Sequence, residues 1–293
     1  MQTIKRKPFT LFDFVVTAIL LFVVMITLYP IYYIAISSFS DPVRLSRHMG
    51  PLLGPLGFSF TPYRHVFDNP MIGRGYLNTL KYMTVGTCVN LVMTILAAFV
   101  LSRRGLLWGK LFRMMLVFAM VFTGGLIPFY LVVDRAGLSG HWLAVILPYA
   151  FNPMNVVIMR TSFQGVPDSL EESAYLDGAR ELTVLVRIIL PLSMPVVAVM
   201  VLFYSVGHWN SWFSAMMFIK NRQEFPLQLI LREILIINST ASMLTAESTA
   251  DKAPMADSIK YATIMVSTLP ILLVYPFLQK FFVKGVMVGA IKE

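Results

Sequence analysis

Six stretches of the chain contain no Asp, Glu, Lys or Arg: Phe14–Ile36, Tyr82–Leu101, Met114–Val133, Trp142–Met159, Leu192–Ile219 and Tyr261–Gln279. A helix needs about 20 apolar residues to cross a bilayer, so each stretch is predicted to be a membrane span. Trp142–Met159 is the shortest. Leu192–Ile219 is longer than a crossing requires, and its membrane part is placed from about Val196, after Pro191 and Pro195. The first stretch is too long, and too rich in Tyr and Pro at its end, for a cleaved signal peptide. The pattern predicts an all-α polytopic protein with six transmembrane helices.

Six spans put both termini on one side of the membrane. With that side inside, the inner segments hold 13 of the Lys and Arg residues and the longer outer segments 11. Positive charge is retained on the cytoplasmic face, so the density favours cytoplasmic termini. Lys5-Arg6-Lys7, Arg103-Arg104 with Lys110 and Arg113, and Lys280 with Lys284 all fall inside. The outer side then carries two long loops, about 37–81 and 220–260. The first is rich in Pro and Gly and is expected to be mostly irregular. In the second, Pro226–Ile237 reads as a short helix at the membrane surface, and Asn238–Asp257 as an exposed polar loop. Asn238-Ser239-Thr240 matches a glycosylation triplet, which needs a secretory eukaryotic context.

Composition agrees with the pattern. Of 293 residues, 57% are hydrophobic and 13% charged, and the mean hydropathy is +0.72. A soluble domain carries about 25% charged residues, so neither a soluble globule nor a disordered chain fits. The net charge of +9 comes from scattered Lys and Arg. They form no basic stripe, so nucleic acid is not an expected partner and membrane lipid is. The single cysteine, Cys88, excludes an internal disulfide and a Cys-based metal cluster, and it reads as a small buried hydrophobe.

The spans hold no ionisable carboxylate or ammonium at mid-depth, which argues against an ion-coupled carrier. His48, His65, His141 and His208 lie far apart, and the chain has neither a nucleophile elbow nor a phosphate-binding Gly-rich loop. No catalytic or metal site is expected, and any ATP must be bound by another subunit. His208 reads as a neutral, hydrogen-bonded bundle histidine. The remaining polar atoms are uncharged: Tyr149, Asn152 and Asn155 in the fourth span, and Tyr204, Ser205, Trp209, Asn210 and Trp212 in the fifth. They fit two roles. One is interhelical glue with aromatic belts. The other is a pathway of amides and aromatics suited to a sugar-like solute. Pro128, Pro148, Pro153 and Pro270 are expected to kink their spans.

The segment from Val166 to Pro191 is predicted to be a helix-turn-helix at the inner surface. Ser169 and Glu172 have capping-box spacing, Asp168 adds favourable charge near the helix start, and Gly178 can stop the helix in the left-handed conformation. Leu170, Ala174, Tyr175 and Leu176 give an apolar surface beside Glu171, Glu172 and Asp177. A second helical piece, Glu181–Ile189, ends at Leu190-Pro191. Such an object is shaped to dock in a partner's groove.

Glu172-Ser173-Ala174, three residues, Gly178, nine residues, then Ile188-x-Leu190-Pro191 resembles the EAA loop of ABC importer permeases, with Ser173 where the family usually has Ala. From about Tyr76 onward the chain resembles the carbohydrate importer permeases of the maltose-transporter type, on the side of the G subunit. Leu170–Gly178, Leu190–Pro195 and the tail Phe282–Lys292 carry the likeness. Ser258–Gly285 is similar to permeases that import complex or uronic-acid-containing oligosaccharides.

The resemblance implies a type I ABC importer permease fold in a bacterial inner membrane. It divides the chain into residues 1–75 (tail, first span, outer loop), 76–282 (transmembrane domain with coupling loop 162–191 and outer loop 220–260) and a C-terminal tail, 283–293. The implied partners are a second permease, two cytoplasmic ATPase subunits that bind ATP and Mg, an extracytoplasmic solute-binding protein and an oligosaccharide. Ser169, Glu171, Glu172, Ala174, Asp177, Gly178, Leu190 and Pro191 would form the ATPase-coupling site, with Glu172 as anchor and Ala174 as close contact. The tail at Gly285–Lys292 would reach toward the ATPases, and part of 238–257 into the binding protein. A secondary sugar carrier and a non-transport docking subunit are the competing readings.

Overall fold

A computed structural model describes residues 10–103, 105–244 and 252–290, with side chains described through residue 236 and from 254 to 273. Every regular element among them is helical. In chain order these are α1 (Leu11–Phe39), α2 (Pro42–Arg47), α3 (Thr61–Asp68), α4 (Pro70–Ser102), α5 (Gly109–Val121) and α6 (Leu126–Arg135). Two 3₁₀ turns, Trp142–Val145 and Leu147–Tyr149, lead to α7 (Pro153–Phe163) and α8 (Asp168–Leu176). Next come α9 (Glu181–Val184), a π-helical turn (Leu185–Ile189), α10 (Leu190–Leu192), α11 (Met194–Trp209), α12 (Phe213–Phe218), α13 (Leu227–Leu244) and α14 (Lys252–Ala290).

α1 and α4 are long and apolar enough to cross a membrane unbroken. The third, fourth and fifth predicted spans are broken instead. α5 and α6 meet at 117°, the 3₁₀ turns and α7 at 49°, and Glu181–Leu192 and Met194–Trp209 at 85°. The first break falls at Phe122-Thr123-Gly124-Gly125, where Gly125 takes φ +83°, a conformation that excludes it from a helix interior. The second falls at Asn152-Pro153, where proline opens α7 and the Asn152 side chain caps it. The third falls at Ser193, ahead of Pro195. The fifth stretch breaks again at Asn210-Ser211-Trp212, before α12. The sixth stretch lies within α14.

Other expectations are corrected. The second span starts at Pro70, not Tyr82, and the outer segment before it holds the short helices α2 and α3 on either side of irregular chain over 48–60. The surface helix after Pro226 runs on to Leu244, so most of the loop expected over 238–257 is helical at its ends. The middle of that loop, Lys5-Arg6-Lys7, Arg104 and the last tail residues lie outside the described residues, as do the side chains of Asn238-Ser239-Thr240 and Gly285–Lys292. Cys88 is exposed on α4 rather than buried.

The chain forms two compact units. One comprises the chain up to Asn69 with Ile234–Leu269, and the other Pro70–Glu233 with the chain from Pro270. In the first, many of the buried positions are small: Ser37, Ser38 and Ser40 after the exposed length of α1, and Ser258, Ala262, Thr263 and Ser267 on α14. Small residues let helix backbones approach closely where lipid gives no hydrophobic drive. Tyr33 meets Tyr261 edge to face at 6.0 Å.

In the second unit α4 is the axis, packed against α7 and α11. Thr79, Tyr82, Gly86, Thr87, Asn90 and Thr94 form a small and polar stripe at helical spacing along its buried face. A Cβ on Gly75 would lie 2.6 Å from Ile230 Cδ1, and one on Gly86 would strike the His208 ring. These glycines allow the close packing. Ala98, Val156, Met159, Phe163, Val184, Ile189 and Met200 form an apolar core toward the Ser102 end of α4.

Candidate functional site

Two concave sites lie along α4. The first is a cavity of about 610 Å³ beside its middle, within the usual range for small-molecule sites. α4 supplies Asn90. The broken fourth segment supplies Tyr149, Phe151, Asn152 and Asn155; α11 supplies Tyr204 and His208, the break after it Asn210, Ser211 and Trp212, and α12 Phe213. The helix breaks make this wall, because an unwound chain turns amides, hydroxyls and rings inward where a continuous helix would bury them against a neighbour. Non-helical backbone at membrane depth is tolerated where it lines such a cavity.

Of the seven predicted pathway residues, Tyr149, Asn152, Asn155, Tyr204, Asn210 and Trp212 line the cavity together. Trp209 does not. Its buried indole lies edge-on to Tyr76 at 6.2 Å.

Hydrogen bonds fix the wall. The Tyr204 hydroxyl and Thr94 Oγ1 lie 2.6 Å apart. Asn90 Nδ2 donates to the Tyr149 carbonyl at 2.6 Å, which leaves Asn90 Oδ1 as acceptor, 2.7 Å from His208 Nε2. Nε2 therefore carries a proton and donates to it, so His208 is a hydrogen-bonded bundle histidine. Asn152 Oδ1 is occupied by the Asn155 backbone N–H at 3.1 Å, and Asn210 Nδ2 by the Val206 carbonyl at 3.0 Å. Asn90, Tyr204 and His208 thus join helices and line the cavity at once, whereas Asn152 and Asn210 bond within their own segments. Asn90 escapes a reading by charge because it is neutral. The signal for it is the spacing of Thr79, Thr87, Asn90 and Thr94 in an apolar run.

The second site lies at the far end of α4. Ser102, Arg103, Gln164, Asp168, Glu171, Glu172, Tyr175 and Glu181 surround about 500 Å³. α8 begins at Asp168 after Pro167, and no side chain caps it, so the expected Ser169–Glu172 capping box is absent. Pro167 has the extended cap geometry but no side-chain acceptor, and Ser169 already lies within the helix, where Ser173 Oγ donates to its carbonyl at 2.8 Å. The helix does stop at Gly178, φ +81°. The Gly178 N–H donates to Tyr175 O at 3.0 Å and Ala179 N–H to Ala174 O at 2.9 Å, closing the helix end in the left-handed manner.

Ser169, Glu172, Leu176, Asp177 and Gly178 are exposed, as is Pro191. Ala174 and Leu190 are partly buried against the apolar core, with Ala179 and Ile188. Ala174 thus packs α8 against the bundle while remaining partly exposed.

Arg103 and Glu171 form an ion pair whose second contact, Nη2 to Oε1, is 3.2 Å. The guanidinium also lies 4.3 Å from the Phe99 ring centre. Arg160 on α7 donates from Nε to the Leu101 carbonyl at 2.9 Å, satisfying a free carbonyl at the end of α4. Tyr175 donates its hydroxyl to Glu181 Oε2 at 2.8 Å. Desolvation first, then that carboxylate, pushes the phenol above its usual range. Sequence reading treated Arg103 only as a topology signal, since nothing local announces a partner 68 positions away.

Residues 90–288 match the family described as binding-protein-dependent transport system inner membrane component. The chain is 37% identical over 282 residues to the polygalacturonan/rhamnogalacturonan transport system permease protein YtcP of Bacillus subtilis, covering 96% of this chain and 98% of the relative. It is 40% identical over 267 residues to protein LplC of the same organism, 91% and 90% of the two chains. A crystal structure of a bacterial ABC transporter involved in the import of the acidic polysaccharide alginate contains a chain that superposes with a TM-score of 0.84 at 27% identity, covering 96% of this chain and all of that one. This chain belongs to the family of inner-membrane components of binding-protein-dependent transport systems, the permeases of ABC importers.

Proposed function

We propose that the chain is one of two permeases in an ATP-driven, binding-protein-dependent importer of oligosaccharides, acidic ones included. One observation carries the reading: a solute-sized cavity of amides and aromatic rings and a largely exposed surface helix are both built onto α4. The cavity suits sugar rings, whose hydroxyls pair with amides and whose apolar faces lie on aromatic rings. The names of YtcP and of the alginate importer favour an acidic sugar. Among the described residues no Lys or Arg lines the cavity, so on this reading the wall reads hydroxyls, and the sugar's charge is read by the binding protein or second permease.

On this reading α8 docks in a cleft of a cytoplasmic ATPase through Glu172 and its exposed neighbours, with both termini on that side. ATP and Mg are held by the ATPases. The test is uptake of labelled oligogalacturonides by the host strain with and without this chain. Loss of ATP-dependent uptake on deletion, restored by the gene, is expected. Unchanged uptake of both acidic and neutral oligosaccharides would overturn the proposal.

A further inference from the structure

The Pro/Gly-rich segment between α1 and α4 folds back along α1. Leu52 N–H donates to the Tyr29 hydroxyl at 3.1 Å, and the Tyr32 hydroxyl donates to Leu53 O at 2.8 Å. Ser59 N–H donates to Phe39 O at 2.9 Å and Asp41 N–H to Leu56 O at 3.1 Å, closing the base of the fold-back. Leu52 is buried. At 1.5 Å per residue, Tyr29 lies about 15 Å back from the end of α1 at Phe39 and about 27 Å from Leu11. A hydrocarbon core is about 30 Å thick, so the helix outruns it, and with Leu11 at one edge Tyr29 would sit near the other. Residues 52–53 are held at that level.

What the segment turns outward fits an interface. Leu53 is 80% exposed, Phe58 71% and Phe60 64%, more apolar surface in one short segment than water tolerates. Arg44, Arg47 and Arg64 are exposed around them. Asp41 is engaged as the cap of α2, accepting from Val43 and Arg44 N–H. Exposed rings with arginines are the chemistry of a segment lying in the headgroup layer, and arginines draw it to anionic lipid.

We infer that residues 41–68 form a collar that lies in the membrane surface at the end of α1, its Leu53, Phe58 and Phe60 side chains in the acyl boundary and its arginines on anionic phospholipid headgroups. The bilayer, rather than a soluble protein, covers this face. The inference rests on α1 being a span and not on which sugar is carried.

The full chain with its accompanying subunits, carrying Cys88→Ser, is placed in nanodiscs of phosphatidylcholine and phosphatidylglycerol. A nitroxide is attached at Leu53→Cys, with Phe60→Cys as a second position should the first disturb the fold. Collision with oxygen is compared with collision with a water-soluble nickel chelate. The oxygen-to-nickel ratio is expected to approach that of Val23→Cys on α1 and to exceed a labelled soluble peptide several-fold. At Phe60 it is expected to fall when phosphatidylglycerol is omitted. A water-like ratio at both positions would overturn the collar and leave the face to a protein partner. A ratio at Phe60 indifferent to phosphatidylglycerol would overturn the role given to the arginines.

Discussion

Arg103, at the end of α4, pairs with Glu171 on α8 and ties the surface helix to the helix that supplies Asn90 to the cavity wall. The side chains keep 22% and 12% of their exposure, so neither is freely hydrated. Removing one partner leaves a partly desolvated charge, which costs about 1–3 kcal/mol, enough to loosen α8 without unfolding the bundle. Arg103→Ala and Glu171→Gln are each expected to lower uptake roughly tenfold, the equivalent of about 1.4 kcal/mol, while the importer still hydrolyses ATP. The exchange Arg103→Glu with Glu171→Arg should recover part of the loss. Parallel measurement of ATPase and uptake checks this.

Gly178 sits at φ +81° with open space where a Cβ would go. Backbone strain, rather than a clash, is the penalty for substitution, about 1–2 kcal/mol. Gly178→Asn should therefore be mild. Gly178→Arg adds bulk and positive charge to the exposed end of α8 and is expected to abolish coupled transport, with normal amounts of chain in the membrane. Uptake assays with immunoblots distinguish the two.

Asn90 bridges the Tyr149 carbonyl and His208. Asn90→Leu would remove a partner from the Tyr149 carbonyl and from His208 in the bundle, a penalty of about 1–3 kcal/mol. A lower melting temperature in detergent is expected, together with reduced transport. Gly86→Val should do similar harm by displacing the His208 ring.

Trp212 lines the cavity, and Arg232 lies 4.1 Å from its ring centre. Trp212→Ala removes an aromatic face while sparing the Asn90 bridge. It is expected to raise the apparent KM for sugar several-fold, with maximal rate and assembly less affected. Uptake measured over a range of sugar concentrations checks the split.

The all-helical class and membrane location were legible because charge-free runs are a strong signal, and the ends of α8 were legible to within a few residues from Asp168 and Gly178. The breaks were harder. Asn152-Pro153 and Gly124-Gly125 are visible as residues, but whether a neighbour repairs the helix there depends on packing that no local pattern records. The polar and aromatic residues proposed for a pathway stood out against apolar surroundings, and six of the seven line one cavity. Trp209 faces away from that cavity, since its facing depends on where α11 stops. The Asn90 and Arg103 contacts join residues far apart in the chain, which local chemistry does not announce. Cys88 shows the same limit: in a bilayer an apolar run does not say which side faces lipid.

The most direct test of the account is reconstitution of the chain with its second permease and ATPases in proteoliposomes, with the binding protein outside and labelled oligosaccharide added. Uptake that requires both ATP and binding protein, and that Gly178→Arg abolishes while ATP is still hydrolysed, is the predicted result. Uptake that proceeds without ATP, or is unchanged in Gly178→Arg, would contradict coupling through α8.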